Sequence, residues 1–263
     1  MFTEEPALAF HPSTPTGLIP CDLSMELDCQ GPATSPLMLV YYARIAPSAA
    51  LETEFAASGS VWYVMAGSGT SGQGSETICW AEGDVFVLPG GKHQHRAAKG
   101  GAVLWLVTDQ PLFEFSGVTA GATQWQASAE IVHYPAIEIR RQFDSLMQTA
   151  GAGGPVPALV LSAAARESHA AATPCLSADI TLLPPGQSLH LRPHNAVSVS
   201  LLIQGVQCHG TVGDRRRDWR TWATALTPPG VDHAIHNQGN SQAVWLTVHD
   251  AGLHRYTRTL NGA

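Results

Sequence analysis

The sequence predicts an all-β protein built from one folding unit used twice. The first observation is internal repetition in three separated blocks. Residues 60–69 (SVWYVMAGSG) resemble 198–207 (SVSLLIQGVQ), 83–95 (GDVFVLPGGKHQH) resemble 222–237 (WATALTPPGVDHAIHN), and 102–112 (AVLWLVTDQPL) resemble 243–253 (AVWLTVHDAGL). The offset is 138 residues at Gly67 and Gly205, 139 at Pro89 and Pro228, and 141 at Asp109 and Asp250. A nearly constant offset means a duplicated unit with small loop insertions. The second observation is a series of short apolar runs separated by Gly and Pro turns, the pattern of a sandwich or barrel. The third is composition: 44% of the 263 residues are hydrophobic and 13% charged, which favours a well-packed globular chain.

Taken in order, residues 1–36 are rich in Pro, Ser and Thr and predict an irregular arm with short extended pieces, of the kind that packs across a barrel or a second subunit. Residues 37–115 form the first unit. Its expected strands are Leu37–Ile45, Val61–Met65, Thr77–Trp80, Val85–Leu88 and Val103–Thr108, with turns at Gly67-Ser68-Gly69 and Glu82-Gly83-Asp84. Residues 116–175 connect the units. Pro135 suits a first helical turn, and Ile137, Arg141, Asp144 and Met147 follow at helical steps, so 136–149 is expected as a helix. Gly151-Ala152-Gly153-Gly154-Pro155 ends it as a linker turn. Residues 176–263 form the second unit, with strands near 178–183, 189–194, 197–203, 206–212, 223–227, 232–237 and 243–249.

The net charge is −7 and Lys92 and Lys99 are the only lysines, which argues against a nucleic-acid partner. The dense basic run Arg215-Arg216-Arg217, beside Gly213-Asp214, reads as a solvated hairpin loop. The five cysteines (Cys21, Cys29, Cys79, Cys175, Cys208) are scattered and form no metal or disulfide pattern, as idle thiols in a reducing compartment do. The first residues carry acids rather than a basic leader, and no apolar run reaches the roughly 18 residues of a membrane helix. A soluble cytoplasmic protein without a membrane partner is expected. No G-x-S-x-G elbow, phosphate loop or dinucleotide fingerprint occurs.

The repeated blocks resemble the two sequence motifs of the cupin superfamily. Gly83, Pro89 and Gly91 fit the second motif in the first copy, and Pro228, Gly230 and His233 fit it in the second. The ending DAGLHRYTRTL, the linker helix and the paired units are most similar to bicupins related to gentisate dioxygenases. The resemblance implies two double-stranded β-helix (jelly-roll) barrels, and iron on three histidines: an H-x-H from the first motif and one histidine from the second.

Carried over residue by residue, the H-x-H of the second copy falls on Arg192 and His194, and the third ligand on His233. His190 lies two residues before Arg192, so strand alternation would put His190, Arg192 and His194 on one face. The expected metal set is therefore His190, His194 and His233, suited to Fe(II) and acceptable to Mn, Ni, Cu or Zn. His236 is a substrate-contact candidate. Arg192 pairs with a substrate carboxylate or, if no metal binds, fills the metal's place beside Asp232. The acidic fourth ligand of many cupins falls on Ser198.

In the first copy the ligand positions fall at Glu54 and Ala56, or at Thr53 and Phe55 with a one-residue shift, and at Gln94 between His93 and His95. Glu54 with His93 or His95 is a weak candidate site. The alternative is a barrel packed by Trp62, Tyr63 and Trp105. His209 and His249 could line the second barrel, whereas His11, His133, His169 and His254 have no partner in a recognisable spacing.

Two functions stand side by side. One is an Fe(II) dioxygenase acting on a small aromatic or organic acid in the second barrel. The other is a non-catalytic small-molecule-binding or sensing bicupin with degenerate metal sites. A metal-dependent isomerase or hydrolase is a third. A homodimer is expected, because sheet edges must be covered.

Overall fold

The computed structural model describes residues 1–74, 76–118, 130–150 and 154–261. The elements in chain order are α1 (Glu4–Phe10), β1 (Gly17–Pro20), α2 (Ser24–Leu27), β2 (Leu39–Ile45), β3 (Ala50–Gln73), β4 (Glu76–Ala81), β5 (Val85–Thr108) and α3 (Gln110–Phe115). Then come β6 (Val132–Tyr134), α4 (Ala136–Ala150), β7 (Ala158–Leu161), β8 (Ser177–Leu183), β9 (Ser188–Leu191), β10 (Ser198–Gln204) and β11 (Cys208–Val212). The last are β12 (Arg215–Asp218), β13 (Thr224–Thr227), β14 (His233–Asn237), β15 (Ala243–His249) and α5 (Ala251–Thr257). The helix expected at 136–149 is α4, and the start of the expected linker turn, 151–153, lies outside the described residues.

The first unit is wound from two 24-residue strands, β3 and β5. The middle of β3 pairs with both halves of β5: Ser60 opposes Leu88 and Thr108, and Val61 opposes Val87 and Val107. Gly67-Ser68-Gly69 is therefore not a turn. It is a bulge inside β3, where a Cβ on Gly67 would stand 2.2 Å from the Gly101 carbonyl oxygen. Glycine marked a close approach of two backbones, and sequence alone does not separate that from a turn.

The second unit has two sheets of separate strands, ordered β13-β10-β15-β8-β7 and β12-β11-β14-β9. The duplication extends to a polar detail. Asp109 accepts a hydrogen bond from the Ser58 N–H at 2.9 Å before α3, and Asp250 accepts one from the Val197 N–H at 2.9 Å before α5.

The residues 1–36 carry more regular structure than expected. Two acids in the first turn of α1 suit its helix dipole. β1 pairs with β2, and Phe2 forms a bridge with Thr224 of the second barrel. The barrels share a core containing Tyr42, Tyr63 and Trp105 from one side and Val199, Leu201 and Leu246 from the other. Tyr63 and Trp105, expected inside the first barrel, lie in this joint instead. The Trp105 indole N–H donates to Thr224 Oγ1 at 2.9 Å, and Tyr42 lies 2.7 Å from the same hydroxyl.

The two interiors differ. The first is filled by a stack: Trp62 on Phe86 at 5.6 Å, Trp80 on Phe86 at 6.3 Å and Trp62 against His95 at 4.4 Å between ring centroids. The second has apolar packing at one end, from Leu183, Leu202, Ile235 and Trp245, and is hollow toward the other.

Candidate ligand cavity in the second barrel

The hollow is a cavity of about 530 Å³. That is within the range of small-molecule sites. His194, His233 and His249 line it together with Asp179, Ser198, Ser200, Thr247 and the indoles of Trp219 and Trp245. The indole rings stand edge to face at 6.4 Å.

His233 enters because it opens β14 on the inward parity. Val212 opposes it on one neighbouring strand and Leu191 on the other, and both line the cavity. Its Nδ1 lies 3.3 Å from the Val231 carbonyl, which leaves Nε2 for a ligand. His194 enters from the loop between β9 and β10. Three contacts pin that loop: the Gly230 N–H donates to the His194 carbonyl at 2.7 Å, the Val197 N–H donates to Asp250, and the Asn195 amide donates to the Thr259 carbonyl at 2.9 Å. The His194 and His233 rings face each other edge to face with centroids 6.0 Å apart. Burial holds both below the ordinary histidine pKa, and neighbouring His249 and His233 push His194 further down. Both are neutral at pH 7 and can accept or donate one hydrogen bond each. His249 lies 3.5 Å from Asp179, and Ser200 bonds Thr247 at 3.0 Å.

His190, expected as the third ligand, is not with them. It opposes Ala234 on the outward parity of β9, exposed, while Leu189 and Leu191 face the cavity. The alternation that would have joined it to His194 ends at Leu191, where β9 stops before Pro193. Arg192 is exposed and does not line the cavity. His236, three residues after His233, takes the opposite face of β14. There it stacks on His209 at 4.6 Å, meets His190 at 5.7 Å and bonds Ser188 Oγ at 2.7 Å. His209 thus lies on the outer face, and His249 is the additional histidine that faces inward.

In the first barrel, Glu54 is exposed while His93 and His95 are buried, so these residues do not meet. Thr53, the shifted reading, does face inward and lies 3.0 Å from His95. His133, which had no partner in the sequence pattern, lies 2.9 Å from Asp84.

The donors do not fit the three-histidine iron centre that the resemblance implies. His194 and His233 hold two of the ligand positions, but Arg192 at the third points elsewhere and Ser198 at the fourth is a hydroxyl. Among the described residues no three His, Cys, Asp or Glu side chains are grouped to hold a metal ion.

The residues that the sequence reading missed are Arg215 and Arg217. The basic run is strand β12 rather than a loop, and these two arginines line the cavity while Arg216 turns outward to Asp218 at 3.1 Å. The signal was present as alternation within RRRD, but all four residues are exposed and no apolar partner marks the strand.

A double β-barrel carrying this repeated motif pair has the bicupin fold. No protein-family model matches the chain. It is 31% identical over 94 residues to a 5-aminosalicylate 1,2-dioxygenase of Comamonas sp, covering 35% of this chain and 24% of that protein. It is 36% identical over 53 residues to a gentisate 1,2-dioxygenase of Haloferax sp, covering 20% of this chain and 15% of that protein. The matched stretches thus span a quarter or less of these curated relatives. The salicylate 1,2-dioxygenase of Pseudaminobacter salicylatoxidans superposes with a TM-score of 0.74 at 13% identity, over 87% of this chain and 75% of that one. The chain has the bicupin fold and is similar to dioxygenases of the gentisate and salicylate kind. Among the described residues, no helix is long and apolar enough to cross a membrane.

Proposed function

We propose that the second barrel is the working site of this protein and that its ligand is a small aromatic carboxylate of the hydroxybenzoate kind. The observation that carries this reading is the composition of one cavity: two neutral imidazoles, two indole faces and guanidinium groups around a space of about 530 Å³. Indoles offer flat apolar faces to a ring, imidazoles meet its hydroxyl, and the positive wall suits an anion. The relatives support the same class. They are dioxygenases of 5-aminosalicylate and gentisate, and the salicylate enzyme has been solved with gentisate.

Because no three of the described donors are grouped to hold a metal, the reading favoured here is binding through protein side chains, without a step through iron. Ring-cleaving dioxygenation is the second reading. It is favoured by His194 and His233, which keep two ligand positions inside the cavity. The two readings differ in whether ligand binding depends on metal.

Titration of tryptophan fluorescence with gentisate and salicylate tests the location of the site. His194→Ala and His233→Ala are expected to weaken binding about tenfold or more, the equivalent of about 1.4 kcal/mol. His190→Ala, on the outer face, is expected to bind as wild type. Equal losses in all three variants would remove the cavity from the account.

A further inference from the structure

One sheet of the cavity, ordered β12-β11-β14-β9, carries arginines at its edge and His233 further in, and the register measures their separation. Arg215 opposes Val212, Val212 opposes His233, and His233 opposes Leu191, in one inward-facing row. Arg217 begins the next inward row, opposing Gly210, which in turn opposes Ile235. Neighbouring strands lie about 4.8 Å apart, so the backbone of Arg215 is about 10 Å from that of His233. Trp219 follows directly after β12 and covers Gly210: a Cβ there would stand 2.6 Å from the indole nitrogen. The indole thus lies where the row from Arg217 passes through a residue without a side chain.

The charges on this wall are unbalanced. Among the described residues, neither Arg215 nor Arg217 has a carboxylate partner, whereas Arg216 on the outer face has Asp218. The acid lining the cavity, Asp179, lies against His249. Arg255, also in the wall, donates to Ser177 Oγ at 2.9 Å. Arg255 is thus held by hydrogen bonds, and the two unpartnered positive groups stand on β12, at the edge of the sheet and two strands from His233.

We propose that Arg215 and Arg217 are the specificity-determining residues of this site. They take the carboxylate of the ligand at the hairpin, and they orient its ring over Trp219 with the hydroxyl edge toward His194 and His233. This inference rests on the aromatic-acid reading of the cavity and adds the residues and the pose. It assigns to β12 the carboxylate contact that motif counting gave to Arg192.

The test compares 4-hydroxybenzoate with phenol, which lacks the carboxylate, by tryptophan quenching. The proteins are wild type, R215Q/R217Q, R215K/R217K and R216Q, each checked for an unchanged thermal unfolding curve. The double Gln variant is expected to weaken 4-hydroxybenzoate about a hundredfold, about tenfold per arginine, and to leave phenol within twofold. The double Lys variant recovers part of the loss, because charge is kept while the planar fork is not. R216Q binds as wild type. Raising the salt is expected to weaken 4-hydroxybenzoate and leave phenol unchanged, since exposed charges are screened over about 10 Å. Undiminished 4-hydroxybenzoate binding in R215Q/R217Q overturns the proposal, and so does an equal loss of phenol. If wild type binds neither compound, the aromatic-acid reading itself falls and this assignment with it.

Discussion

His95 shows what a motif histidine becomes when its barrel fills. The Trp80 indole N–H donates to Ser71 Oγ at 2.7 Å, and the same hydroxyl is hydrogen-bonded to His95 Nδ1, also at 2.7 Å. His95 Nε2 is hydrogen-bonded to Thr53 Oγ1 at 3.0 Å, so both ring nitrogens are satisfied inside the barrel. Complete burial against Trp62 pushes its pKa down to about 3. The unfolded chain, with an ordinary histidine near 6.5, binds this proton first, so stability is full above that pH and falls as pH drops toward 3. His95 alone is expected to remove about 2 kcal/mol of stability between pH 7 and pH 5. Urea unfolding at the two pH values checks this, with H95Q expected to flatten the dependence by about one proton. An unchanged pH slope in H95Q would contradict it. Spacing rules located His233 because the motif fixes its distance from Pro228. They misplaced His190 because alternation was extended through Pro193, beyond the end of the strand.

At the scale of elements, bulges decide which residues face inward. The count across Gly90 and Gly91 placed Gln94 at the ligand position, yet His93 and His95 are the inward pair, one residue either side. At Gly90 a Cβ would stand 1.9 Å from the Ala57 carbonyl oxygen, so this bend of β5 against β3 requires glycine. Gly90→Ala is expected to cost about 1–3 kcal/mol through forced backbone movement. Gly100→Ala, with nothing within 4 Å of the added carbon, serves as the matched control and is expected to stay within about 0.5 kcal/mol. Chemical denaturation of both variants checks the pair, and equal stabilities would show that the bend relaxes freely. Most strands were legible because they are apolar and bounded by Gly or Pro. β12 was not, because its four exposed polar residues resemble a loop and their alternation acquires meaning only beside β11. Helix α1 was obscured by the Pro and Ser residues that follow it.

At the scale of the molecule, duplication has produced two barrels with different interiors. One unit is filled by stacked aromatic rings and a neutral histidine; the other keeps a cavity lined by both imidazoles and guanidiniums. The shared core and the bonds from Trp105 and Tyr42 to Thr224 join the two, so the filled barrel supports the hollow one. The double-barrel fold was legible from the repeat because it depends on many apolar positions. The ligand chemistry was legible only in part, because it turns on the inward or outward parity of a few side chains. The central claim is that protein side chains, rather than a three-histidine iron centre, hold the ligand. Calorimetric titration of gentisate under anaerobic conditions tests this most directly, comparing chelator-treated protein with protein given one equivalent of Fe(II). The account predicts saturable one-to-one binding with the same affinity in both samples. Binding that appears only with iron would contradict it.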